Sequence, residues 1–181
     1  MTLACFGDSL VYGWPFSPDY SWTAVLEKYG VSIINKGVCG ATTGEILDNM
    51  RYAALPKGVN RVLFFGGAND IIQGVPKEVV LDTIEKVKTL AAEKDWRLCL
   101  ALPLLSGEEG ANGKIGELRT ELAREAGAFI LDLQPAIGRS EEDLREAYLD
   151  GWHPKAKVYE KMGEYAASIL LKWLEKCGAA E

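Results

Sequence analysis

Side chains able to do chemistry gather at four short stretches: Gly7-Asp8-Ser9-Leu10, Gly40-Ala41-Thr42, Gly67-Ala68-Asn69-Asp70 and Asp150-Gly151-Trp152-His153. The last stretch holds the only histidine of the chain. His153 precedes Pro154, which biases it to an extended conformation, and Asp150 stands three residues earlier across a glycine. At that spacing the carboxylate reaches one imidazole nitrogen and leaves the other free. A serine hydroxyl is a poor nucleophile at neutral pH, so it needs a base within hydrogen-bond reach and an acid that orients the base and stabilises the imidazolium. Ser9, His153 and Asp150 are residues of those three types. The oxyanion formed by attack on a carbonyl needs donors, and the N–H of Ser9, an unobstructed N–H at Gly40 and the amide of Asn69 qualify. Each residue also has an ordinary structural use: Ser9 as a helix cap, His153 as a backbone-bonded residue at a helix start, Gly40 and Asn69 as turn formers. Asp8 and Asp70 read as turn and cap hydrogen-bonders.

These stretches lie where apolar runs stop. Residues 3–6 form a short apolar strand ending at Gly7, 31–35 a second ending in the glycine-bearing loop 36–40, and 61–65 a third ending at Gly66-Gly67. Residues 97–102 and 129–133 read as the fourth and fifth strands, with Pro103 stopping the fourth. Between them the pattern turns helical: near 22–28, after Thr42 with Glu45 at capping-box spacing, and from Pro76 to about 94 with Val80, Ile84, Val87 and Ala91 on one face. Ile115, Leu118, Leu122 and Ala126 mark a further helix closed by Gly127, 140–148 a short one capped by Ser140, and Pro154 opens the last, which buries Tyr159, Met162, Ala166, Ile169, Leu170 and Trp173. The aromatic segment Tyr12 to Trp22, broken by Pro15 and Pro18, reads as a loop, and 104–113 as a mobile one. Tyr12, Trp14 and Leu104 are candidate walls for an apolar acyl or aryl group. Five strands alternating with helices predict an α/β chain: a three-layer α/β/α sandwich on a five-stranded parallel sheet, order 2-1-3-4-5, as one domain over residues 1–181.

Composition narrows the function classes. With a net charge of −6 and lysines scattered among acids, no basic stripe exists to displace counterions from nucleic acid. No uncharged run approaches the roughly 20 residues that span a bilayer. The first strand starts at Leu3, which leaves no room for a leader before it and sets the cytoplasm as the expected compartment. Cys5, Cys39, Cys99 and Cys177 are far apart, with no CxxC and no histidine at ligand spacing, so they read as buried, reduced thiols.

Taken together and in order, Gly7-Asp8-Ser9-Leu10, Gly40, Gly67-x-Asn69-Asp70 and Asp150-x-x-His153 resemble the motif blocks of the GDSL, or SGNH, hydrolase family. The resemblance spans most of the chain and implies a flavodoxin-like fold, Ser9 as nucleophile, Gly40 and Asn69 as oxyanion donors, and Asp150 with His153 completing a triad. It also implies hydrolysis of esters, thioesters or carbohydrate O-acyl groups with no metal and no organic cofactor. The chain is similar to the small thioesterase/lysophospholipase-like members, so a small-molecule ester or thioester of short-to-medium acyl or aryl type is the expected substrate. A carbohydrate O-acetyl esterase, or acyl transfer to an alcohol, would use the same site. A flavodoxin-like module binding phosphate or flavin at these loops is the reading from another class, and it gives Asp150 and His153 no role. A metallophosphoesterase drawing on Asp8, Asp70, Asp150 and His153 conflicts with the single histidine.

Overall fold

Successive side chains of a strand point to opposite faces, and β1 (Thr2–Gly7) is apolar on both: Leu3 and Cys5 enter one core, Ala4 and Phe6 the other. Such a strand must be covered twice. In the computed structural model, which describes residues 1–108 and 110–178, β1 lies between β2 (Ser32–Gly37) and β3 (Arg61–Phe65). β4 (Arg97–Ala101) and β5 (Phe129–Leu131) follow, giving a five-stranded parallel sheet in the order β2-β1-β3-β4-β5, as the sequence predicts.

Eight α-helices connect and cover the strands among the described residues: α1 (Ser9–Tyr12), α2 (Trp22–Val25), α3 (Thr43–Tyr52), α4 (Ala68–Ile72), α5 (Lys77–Glu93), α6 (Ala111–Leu122), α7 (Glu141–Ala147) and α8 (Ala156–Gly178). On the Leu3 face the core is closed by Val11, Trp22 and the Tyr159-Met162-Ala166-Leu170 stripe of α8; on the Phe6 face by Ile46 and Met50 of α3, Val80, Ile84 and Val87 of α5, and Leu118 and Leu122 of α6. These stripes repeat at helical spacing, so burying one face fixes each helix on the sheet. No helix among the described residues is long and apolar enough to cross a membrane.

Several boundaries differ from the sequence expectation. The aromatic segment does not begin as a loop: Asp8 caps a single turn, α1, and the loop starts at Gly13. β2 runs on to Gly37 because Lys36 and Gly37 pair with Phe6 and Gly7. Asn69 lies in the first turn of a short helix rather than in a glycine turn. Pro76 stands one position before its helix. α6 starts at Ala111 and ends at Leu122, short of Ala126, because Arg124 and Glu125 donate back only three residues. Pro154 does not open the last helix: it pairs with Tyr148 in an antiparallel bridge, and α8 begins at Ala156. The segment expected to be mobile is tied down, with Ser106 and Asn112 exchanging hydrogen bonds at 2.7 Å each and Gly107 N–H donating to Gly151. Glu109 of that segment, and residues 179–181 of the expected domain, lie outside the described residues. Of the four free thiols, Cys5 and Cys99 are buried, Cys177 is half-buried, and Cys39 is exposed on the loop after β2, contrary to the expectation of burial.

Candidate active site

The carboxyl end of β1 sets the first side chain of the site. Asp8 accepts the Leu10 N–H at 2.9 Å, and this cap turns the chain into α1 with Ser9 as its first residue. Backbone N–H groups in a first helical turn lack intrahelical acceptors, so the Ser9 N–H lies beside its own hydroxyl as an available type of donor.

The second group arrives from the far end of the chain. Residues 148–155 form a pinned hairpin in which Leu149 N–H donates to His153 O and Lys155 N–H to Ala147 O. Inside it Asp150 Oδ1 accepts the Trp152 and His153 N–H groups at 3.0 and 2.8 Å, while Oδ2 lies 2.7 Å from His153 Nδ1. A carboxylate can only accept, so Nδ1 carries the proton and Nε2 presents its lone pair. That lone pair faces the Ser9 hydroxyl, 3.0 Å away. Partial burial pushes the Asp150 carboxyl up, but the hydrogen bonds from the His153 ring and the two backbone N–H groups outweigh it and hold the carboxyl below its usual range. Ser9, His153 and Asp150 therefore make one continuous hydrogen-bonded line, in a geometry able to move a proton from serine to imidazole.

Around Ser9 lies a recess of about 110 Å³ whose lining includes Asn69, Ile72, Leu104, Tyr148, Trp152 and His153. Asn69 reaches it from α4, with Nδ2 donating to Ala41 O at 3.0 Å and the second N–H of the amide left over. Gly40 is placed otherwise than Asn69. It is exposed, adopts a φ of +79° that favours glycine, and borders a different recess with Cys39 and Ala41, outside the lining around Ser9. Leu104 lines the Ser9 recess, whereas Tyr12 and Trp14 are not part of its lining. Trp14 instead packs its ring against His153, centroids 4.4 Å apart and tilted by 54°, and its carbonyl accepts the Tyr159 hydroxyl. Among the described residues no three His, Cys, Asp or Glu side chains are grouped as a metal site.

Sequence reasoning missed the residues that build the opposite wall. Tyr148 donates its hydroxyl to Leu105 O at 2.6 Å, and Gln134, wholly buried, accepts the Leu105 N–H and donates to Gly138 O. Arg119 Nη2 donates to Asp132, 2.8 Å from each carboxylate oxygen, and Nη1 donates to Pro103 O at 2.6 Å. Trp152 alone had a signal, since it stands between Asp150 and His153.

The sequence profile of a family described as GDSL-like lipase/acylhydrolase matches residues 5–161. The chain belongs to this family. It is thus a hydrolase of the esterase/acylhydrolase kind. An arylesterase from Vibrio mimicus is 24% identical to the hydrolase over 193 aligned positions, covering 95% of this chain and 89% of its own. Among solved structures, a protein from Desulfitobacterium hafniense provisionally described as a lipolytic protein of the G-D-S-L family superposes with a TM-score of 0.82 at 28% identity, over 92% of the hydrolase and 98% of its own chain. The psychrotrophic esterase EstA from Pseudoalteromonas sp., solved inhibited by monoethylphosphonate, shares the fold at 17% identity with a TM-score of 0.74, covering 96% and 98% of the two chains.

Proposed function

We propose that the chain is a serine esterase of small acyl or aryl esters working through an acyl-enzyme, as a single domain over its length. The observation that carries this reading is the 3.0 Å contact between Ser9 Oγ and His153 Nε2, made across 144 residues, with Asp150 on the other imidazole nitrogen at 2.7 Å. Ser9 Oγ attacks the ester carbonyl as its proton passes to Nε2, and Asp150 stabilises the imidazolium. The oxyanion is received by the Ser9 N–H, the free N–H of the Asn69 amide and the Gly40 N–H. His153 then protonates the departing alcohol or thiol, and a water deprotonated by the same nitrogen releases the acid and restores Ser9. The Vibrio mimicus arylesterase supports an aryl leaving group.

Recess size bears on the acyl group. A volume of about 110 Å³ is below the roughly 150 Å³ of a cavity that takes benzene. A recess of that size favours a short acyl chain. The test is a panel of p-nitrophenyl esters, a thioester and an acetylated sugar on the wild type, Ser9→Ala and His153→Ala. The expected result is highest kcat/KM for acetyl to butyryl esters and a loss of about four to six orders of magnitude in kcat in both variants. Wild-type-like turnover in either variant, or failure of a fluorophosphonate probe to label Ser9, overturns the acyl-enzyme.

A further inference from the structure

We propose that α4 sets the geometry of the oxyanion hole, with Asp70 as the positioning residue that anchors segment 40–43 and Gln73 as a second, weaker hold. The proposal rests on the serine-esterase reading above.

Two side chains of α4 and that of Gln73, just after it, reach across to the loop after β2 and to the first residue of α3. Asn69 donates to Ala41 O at 3.0 Å, Gln73 Nε2 donates to Gly40 O at 3.3 Å, and Asp70 accepts both the N–H and the hydroxyl of Thr43, at 2.9 and 2.7 Å. The Asp70 bonds differ in kind from the others. Asp70 and Thr43 are each 1% exposed, so water does not compete for either group. A carboxylate held by two donors makes charge-assisted bonds of roughly twice the usual strength. Thr43 is also the first residue of α3, where a negative charge meets the positive end of the helix dipole.

The local cap of α3 serves the Thr42 and Glu45 N–H groups and leaves the Thr43 N–H to Asp70. Thr42 and Glu45 form a reciprocal capping box, with Glu45 Oε2 accepting the Thr42 N–H at 2.8 Å. The Asp70 carboxylate therefore does something the local cap does not: it fixes α3 and the 40–43 segment relative to α4. The donors proposed for the oxyanion belong to those two separate pieces of chain, Gly40 to one and Asn69 to the other. Donors are effective only within about 2.7–3.1 Å of the developing charge, so a few tenths of an ångström of slack between the pieces weakens both. Gln73, exposed and with a longer bond, holds Gly40 less firmly.

The experiment compares Asp70→Asn, Thr43→Val, Thr43→Ser and Gln73→Ala with wild type and Ser9→Ala. The readouts are kcat and KM on p-nitrophenyl acetate, inhibition by a short-chain trifluoromethyl ketone, whose serine adduct carries an oxyanion, and thermal melting. Asp70→Asn and Thr43→Val are expected to lower kcat by about ten- to a hundredfold with KM within about twofold, and to weaken the ketone by the same factor as kcat. Thr43→Ser, which keeps the hydroxyl, returns kcat to within about threefold, and Gln73→Ala costs about two- to threefold. Folded Asp70→Asn and Thr43→Val proteins with kcat near wild type overturn the proposal, as does a fall in kcat with unchanged ketone affinity. Full activity in Ser9→Ala overturns the nucleophile itself. Loss there beside unimpaired Asp70 and Thr43 variants removes only the positioning role of Asp70.

Discussion

Asp8, in the lining of the Ser9 recess, and Asp70, behind it, are both buried carboxylates, and their hydrogen bonds tell them apart. Asp70 has the N–H and the hydroxyl of Thr43, whereas Asp8 is held by backbone N–H groups alone, that of Leu10 foremost. Burial pushes the Asp8 carboxyl up to about 7, the negative charge of Asp70 adds to the rise, and the Leu10 N–H opposes it. An unfolded Asp titrates near 3.9, so between about pH 4 and pH 7 the folded protein holds a proton that the unfolded chain has lost. Stability therefore falls as pH rises through that window. Asn at position 8 keeps the capping oxygen and has no charge to lose. In Asp8→Asn the melting temperature should vary less between pH 5 and pH 8 than in wild type, and should exceed it at pH 8; parallel wild-type and variant profiles across that range would exclude the ionisation of Asp8 as the cause. Asp150 behaves oppositely, because the bonds from His153 outweigh the upward push of burial. The types and spacing of Ser9, Asp150 and His153 were legible because the role proposed for each is one that few residue types can fill. Trp14 was not legible in the same way: its ring could be expected near a pocket, but its seat on His153 depends on where α1 ends and where the 148–155 hairpin comes to rest.

Among the elements, those with local determinants were read correctly. The Thr42/Glu45 and Ser140/Asp143 capping boxes mark the starts of α3 and α7 within the sequence itself, and both are formed. Pro154 misled, because Pro at a first helical position is a preference that the bridge to Tyr148 overrides. The loop after β4 misled more, since its glycines and acids suggest mobility while most of its restraints are distant, Tyr148, Gln134 and the Arg119–Asp132 pair, with Asn112 the local one. The Arg119 side chain is 8% exposed, and removing its charge leaves the Asp132 carboxylate and Pro103 O without their main donors. Arg119→Met should destabilise the protein by about 3 kcal/mol in urea unfolding, the cost of breaking a largely buried pair from one side. A loss under 1 kcal/mol would show that Arg139 and the Gln134 N–H, which also contact Asp132, suffice to hold it.

The sheet order β2-β1-β3-β4-β5 carries the loops after β1, β2 and β3 side by side at the carboxyl end, where Asn69 lines the Ser9 recess and donates to Ala41 O. His153 joins them because α8 lies back across the Leu3 face against α2. That approach depends on Gly163, where an added Cβ would fall 2.4 Å from Val25 Cβ and 2.5 Å from Trp22 O. Gly163→Ala should therefore push α8 outward, costing about 1–3 kcal/mol, and lower kcat as the hairpin preceding α8 shifts His153 from Ser9; a variant with wild-type melting and turnover would mean the two helices adjust without moving the hairpin. By itself the sequence determined what local rules can write: alternation on strands, apolar stripes on helices, two capping boxes, and residue types at four turns whose chemistry is that of a serine hydrolase. Tertiary structure alone decided which of those turns touch. The Ser9–His153 contact spans 144 residues, Tyr148–Leu105 43 and Thr43–Asp70 27. Over such separations the path of the sheet and the packing of its two faces set distance, and no window of neighbouring residues encodes them.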